Sequence, residues 1–373
     1  MKLNDKLKKN MMYVVGAFIL FIAIIGLISS CSGRRTYTID EINELELKLI
    51  DLARDHFRDN ESALPTEGNT VTLSIQALVD AGRIRPLSQI LENGDRCSGQ
   101  ITVLNNRGYI LYLPKIDCGE LYQTQRLTDV LTESVVTVGS GLYAMNNAFV
   151  FRGESVNNHI YFANSLWLIL RVNTDGTIKI METRQRDSSA WDNRFNPEQN
   201  NNSGVNDFIN NIQINSRVRD RLERIYESEN TFNNNDRAHI VYQTLCIGKR
   251  SINDAGNDGA IECAQQLSNQ TLGMLPVYQY LQASLDEGCI YTMSPSCINF
   301  NYLASLSPSF WSITSDADSS FRSFIIGGTA RLINSSTTSP VRVTALLSSE
   351  VLLSSGDGSQ DNPFRLITNP VTQ

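Results

Sequence analysis

From Met11 to Ile28 the chain runs for 18 residues, "MMYVVGAFILFIAIIGLI", without a charge, and no other stretch is as apolar. As a helix it reaches roughly 27 Å at about 1.5 Å per residue, close to the thickness of a hydrocarbon core. Lys2, Lys6, Lys8 and Lys9 precede it against the single Asp5, and Arg34 and Arg35 follow. The positive-inside bias then makes residues 1–10 a cytoplasmic tail and puts the bulk of the chain outside. The expectation is a single-pass cell-membrane protein whose first partner is the lipid bilayer, met through residues 11–30 as a transmembrane or signal-anchor helix.

The last residue of this run opens "ISSC", Ile28 to Cys31. An aliphatic residue and two small ones before cysteine fit a permissive lipobox, so Cys31 is a candidate lipidation site. The apolar run is longer than the roughly 7–15 residues of a signal-peptide core, which favours an uncleaved anchor. Either route delivers the same chain to the same face.

Six further cysteines lie in the part assigned to the outside: Cys97, Cys118, Cys246, Cys263, Cys289 and Cys297. An even set in an oxidising compartment reads as disulfides. Many connectivities are open, and sequence neighbours point to 97 with 118, 246 with 263 and 289 with 297. The chain has three histidines and no C-x-x-C pair, which argues against zinc. A formal charge of −7 excludes the basic footprint that nucleic acid requires.

Beyond the anchor, Ile39, Ile42, Leu45, Leu49, Leu52 and Phe57 recur at helical spacing in "IDEINELELKLIDLARDHF", with Thr38 and Glu41 as a capping box. "VTLSIQALVDAGRI" reads as a second, short helix closed by Gly82. "CSGQITVLNNRGYILYLPKIDCG" reads as two strands. If Arg107 and Gly108 form the loop, Asn106 faces Tyr109 and Cys97 falls opposite Cys118. Residues 36–123 thus form a small helix-plus-hairpin, membrane-proximal domain.

From Thr128 onward, "AFVFRG", "HIYFANSLWLILRV" and "TIKIMETR" read as strands and "SRVRDRLERIYESE" as a helix with Val218, Leu222, Ile225 and Tyr226 on one face. "LPVYQYLQASL" reads as a further helix, and strands return in "SFWSIT", "SFIIGGTARLI" and "VRVTALLSS". The Asn-rich stretch 196–215 reads as an ordered loop. The fold class is α+β: a membrane helix, a small helix-plus-hairpin domain, and a larger mixed domain over 128–373.

An apolar helix continued by an amphipathic one and capped by a disulfide-closed hairpin resembles the type IV pilin plan. "CSGQITVLNN" with "YLPKIDCG" is similar to the membrane-proximal domain of uncharacterised surface proteins of Gram-positive bacteria. "LWLILRVNTDGTIKI", "WDNRFN", "LGMLPVYQYLQAS", "FWSITS" and the closing Arg342, Gly356, Gly358, Asn362, Pro363 and Phe364 resemble the C-terminal domain of such proteins, with Val343 where that family has proline. A more distant likeness is to C-type lectin-like and formylglycine-generating folds. The anchor, the even set of outer cysteines and the lack of catalytic motifs lead to the expectation of a surface protein whose C-terminal domain binds a cell-surface protein or glycan. The pilin-like plan implies the alternative, a homo-oligomer or envelope-assembly partner joined through its N-terminal helices.

No catalytic constellation stands out, so the chain reads as non-enzymatic and no cofactor is implied. Asn173, Asp175, Gly176 and Glu182 imitate an EF-hand loop, but Arg171 holds the first ligand place and the flanks are strands, so a type I′ turn is expected. "SGDGSQDN" reads as a turn. Cys246 with His239 faintly resembles a sortase nucleophile region, and Cys263 offers Cys246 a structural partner instead. The candidate ligand surface comprises Trp191 and Trp311, which stack on sugars where exposed, and the helical stripe Arg217, Arg221 and Arg224. Asp220 and Glu223 interleave that stripe, as on a solvated, salt-bridged face.

Overall fold

The computed structural model describes residues 39–145, 147–209 and 214–368. The predicted tail and anchor, Cys31 and the Thr38 cap lie outside them. Among the described residues no helix is long and apolar enough to cross a membrane. The architecture is mixed α+β, richer in strand than in helix.

The first unit begins with helix α1, Ile39–Arg58. Its stripe of Ile42, Leu45, Leu49, Ala53 and Phe57 is buried, as the spacing of three and four residues requires. It packs on an antiparallel sheet of order β1-β2-β3, made by Thr70–Ser74, Ser98–Asn106 and Tyr109–Asp117. The short helices α2 (Ile75–Asp80) and α3 (Leu87–Ile90) connect β1 to β2. The hairpin has the expected register, Asn106 against Tyr109 through Ser98 against Asp117. Arg107 and Gly108 both have positive φ, 56° and 83°, the geometry of a two-residue type I′ turn. Cys97 and Cys118, just beyond the last pair, are bonded with Cα atoms 4.1 Å apart.

One expectation fails here. "VTLSIQALVD" is not one helix: its first half is β1, paired from Thr70 opposite Leu104 to Ser74 opposite Gln100. The consecutive β-branched residues Thr70, Val71 and Thr72 suit an edge strand. Ser74 ends it and starts α2, its Oγ accepting from the Ala77 N–H at 3.1 Å.

Since this unit has a small core, its staple matters. Replacing Cys97 and Cys118 by serine opens a loop with a sequence separation of 21 and is expected to cost about 2–3 kcal/mol. Thermal unfolding of the double variant beside the native protein checks this; an unchanged melting curve would refute it.

The larger unit centres on a nine-stranded sheet. Helix α4 (Leu127–Glu133) precedes β4 (Gly141–Met145), β5 (Ala148–Arg152), β6 (His159–Phe162), β7 (Ser165–Asn173), β8 (Ile178–Glu182) and β9 (Asp187–Ala190). Helices α5 (Arg217–Glu227) and α6 (Asn234–His239) follow, then β10 (Gln243–Cys246), β11 (Gln266–Gln270), β12 (Leu272–Gly273) and helix α7 (Val277–Gln282). The chain closes with β13 (Phe310–Ser315), β14 (Arg322–Gly327), β15 (Thr329–Asn334), β16 (Thr338–Val341), β17 (Thr344–Leu347), β18 (Leu353–Ser355) and β19 (Phe364–Leu366). The main sheet runs β12-β17-β8-β7-β6-β19-β18, with β5 joining β7 and β4 joining β5; β19 lies parallel to β6.

Strand β7, "SLWLILRVN", is largely buried, as a central strand should be. The run "HIYFANSLWLILRV" is two strands, parted at Ala163 and Asn164, whose φ values of 46° and 55° make a second type I′ turn. The β7–β8 turn differs from expectation. Only Gly176 has positive φ there, 81°, so it is a type I turn closed by a left-handed glycine, with Asp175 Oδ1 accepting from the Thr177 N–H. The loop 196–209 is ordered by its asparagines: buried Asn196 donates to the Gly204 carbonyl at 2.7 Å and Asn206 to those of Asp316 and Arg322 at 2.9 Å.

Each unit has its own hydrophobic cluster. A third joins them, with Ile50, Leu111 and Leu113 against Ala238, Leu352 and Ile367. The hairpin tip reinforces this junction. Asn106 donates to the Ala238 and Ile240 carbonyls at 2.8 Å, and Arg107 to the Ile240 carbonyl at 2.7 Å.

Candidate functional site

Two disulfides stiffen the larger unit, Cys246–Cys263 and Cys289–Cys297. Cys246 is therefore bonded. His239 is buried, its Nδ1 lies 2.7 Å from the Asn235 carbonyl, and burial lowers its pKa to about 4.

The two indoles proposed for a ligand surface are not on one. Trp191 and Trp311 are each 0% exposed. Trp191 Nε1 donates to the Ser312 carbonyl at 3.0 Å and Trp311 Nε1 to the Ser189 carbonyl at 2.8 Å, so the pair ties the end of β9 to β13 from both sides. A large apolar ring with a single polar handle suits such a place. Trp167 is buried likewise, donating to the Phe162 carbonyl. On α5, Arg217 and Arg224 are exposed, while Arg221 is half-buried and engaged. Arg217 meets Asn193 Oδ1 at 3.3 Å, and Glu223 lies 3.6 Å from Arg219. The stripe has the interleaved charges expected of a solvated face.

The geometry instead concentrates positive charge at a place the motifs did not mark. Between Ile169 and Arg171 the pairing of β7 with β8 shifts by one residue. Leu170 is the extra residue of this bulge, so Arg171, rather than Leu170, stands opposite Lys179. Without the bulge, Arg171 would belong to the other face of the sheet. Like charges directly opposite across two strands repel. Here they line a pocket of about 340 Å³, closed by Tyr242 and Leu245 on one side and by Tyr278 and Gln279 of α7 on another.

Lys179 is buried, in a strand of four otherwise buried residues. Burial, and then the charge of Arg171, lower its pKa to about 7. Among the described residues no carboxylate pairs with either cation. Asp175 stands at the rim and is taken up by Thr177, whose N–H and hydroxyl reach its Oδ1 at 3.0 and 2.6 Å. Glu262, close to Tyr278, is paired with buried Arg250 at 3.0 Å and accepts from the Tyr278 N–H. Arg171 Nε is buried without a hydrogen-bond partner among the described residues, as is Gln279 Oε1. Two cations lining one pocket without an acidic partner among the described residues are the ingredients of an anion site, where charge-assisted hydrogen bonds are the strong ones.

Sequence reasoning treated Arg171 only as the residue that spoils a calcium loop. The usable signal was a lysine set between Ile178 and Ile180 in an apolar strand, since buried lysine is rare. Compared with known protein families, curated proteins and solved structures, the chain matches none.

Proposed function

We propose that the chain is a membrane-anchored, extracytoplasmic surface protein that acts by binding, and that its larger domain takes an anionic group, a carboxylate, sulfate or phosphate, between Arg171 and Lys179. The observation that carries this reading is the pair of opposed cations, lining a pocket and lacking an acidic partner. The apolar run 11–28 and the paired outer cysteines support attachment and compartment.

Sulfate is the suitable probe, because it does not titrate near neutrality while Lys179 does. Binding requires charged Lys179, so it takes up a proton and weakens as pH rises past about 7. Sodium sulfate is expected to raise the melting temperature saturably at pH 6 against sodium chloride of equal ionic strength. At pH 8.5 its affinity should be about thirtyfold lower. A shift no larger than that of chloride, or one that survives in Arg171→Met, would overturn the proposal. Topology is tested separately: protease added outside intact cells should remove residues 128–373, and a fully protected domain would sink the surface assignment.

A further inference from the structure

A second cleft, of about 500 Å³, opens beside β6. It lies on the same face of the main sheet as the cation pair. His159 stands opposite Leu168, Leu168 opposite Met181, and Met181 is two residues along β8 from Lys179. The chemistry is different. Leu166, Leu168 and Leu306 form apolar wall, and Asn158, His159 and Ser305 bring polar groups to it.

Two of those groups each leave one buried polar atom unpaired among the described residues. Asn158 is 0% exposed; its amide donates to the Ile169 carbonyl at 2.8 Å, while its Oδ1 is buried with no hydrogen bond among the described residues. His159 Nδ1 is buried without a hydrogen-bond partner among the described residues as well, and burial lowers the ring's pKa against the raising effect of a hydrogen bond to the Gly358 backbone. An orphaned buried acceptor costs about 1–3 kcal/mol, so a ligand that donates to it recovers that energy. Asn158 Oδ1 can only accept, whereas a neutral imidazole nitrogen accepts or donates according to tautomer. Adjacent hydroxyl groups serve both, and the C–H face of a sugar ring matches the leucines. The one carboxylate on the lining, Glu154, is exposed, and hydroxyl donors suit it too.

We infer that this cleft is a saccharide site for a neutral, hydroxyl-bearing sugar unit, held by Asn158 and His159 over the Leu166–Leu168 wall. It is independent of the anion pocket.

The test uses the full-length protein in a sugar-free detergent, with glucose, galactose, N-acetylglucosamine and their disaccharides as probes, read by saturation-transfer NMR and calorimetry. At least one should bind saturably. His159→Phe keeps a flat ring but removes Nδ1 and should weaken binding at least tenfold. Ser305→Trp, placed on the exposed rim, should abolish binding by filling the mouth while leaving the sulfate response intact. Arg171→Met should leave saccharide binding unchanged while removing the sulfate response, which separates the two sites. Three results would each overturn the inference: no saturable sugar binding, native affinity in both cleft variants, or a trialanine peptide binding the cleft in place of sugars.

Discussion

Lys179→Met is expected to stabilise the protein by on the order of 4 kcal/mol at pH 6 and to abolish its response to sulfate. Burial and Arg171 bring the Lys179 pKa from 10.5 down to about 7 in the fold. Between those values the unfolded chain binds a proton that the folded chain lacks, so stability increases as pH rises from about 7 toward 10.5 and the full penalty is present below 7. Methionine carries no charge to desolvate and fills a similar volume against Leu346, which faces Lys179 on β17. The gain should therefore fade toward pH 10.5. Urea denaturation of both proteins at pH 6 and pH 10 checks this, and equal stability of the two at pH 6 would refute it. Burying this cation carries a stability cost, which is the pattern of a group retained for binding.

Glu46→Gln should have the second largest effect, in the first unit. Glu46 on α1 is fully buried. Its Oε1 accepts from the Tyr122 hydroxyl at 2.9 Å and the Thr124 hydroxyl at 2.5 Å, while Oε2 is buried without a partner. Burial raises its pKa from 4.5 to about 7, against the lowering effect of those two hydrogen bonds. A raised acid pKa means that stability present below pH 4.5 is lost as pH climbs through about 7. Glutamine mimics the protonated acid, keeps an acceptor for both hydroxyls and does not ionise. The variant should match the native protein at pH 4 and exceed it by about 3 kcal/mol at pH 8. Denaturant melts at the two pH values decide the matter; a gain of equal size at pH 4 would show that repacking, not ionisation, is responsible.

Local features were legible. The hairpin register, and with it the Cys97–Cys118 bond, followed from the length of one turn, because a two-residue loop leaves a single alignment for everything beyond it. The α5 face of Val218, Leu222 and Ile225 followed from helical periodicity. The strand at Thr70–Ser74 was less accessible, because its identity depends on a partner, β2, some thirty residues away. Trp191 and Trp311 were ambiguous for a similar reason: an indole looks alike in sequence whether it stacks on a sugar or donates to a carbonyl 121 or 122 residues distant.

By itself, then, the sequence determined the apolar run 11–28, the paired cysteines, the hairpin and the amphipathic helices, all of them consequences of residue type and short-range spacing. Tertiary structure alone decided where charge and unpaired polar atoms gather. Arg171 meets Lys179 because of one extra residue in the β7–β8 ladder, and Asn158 and His159 reach a cleft walled in part by Leu306, far along the chain. Register shifts and long-range walls arise from how distant strands pack, and no local pattern of residues encodes them.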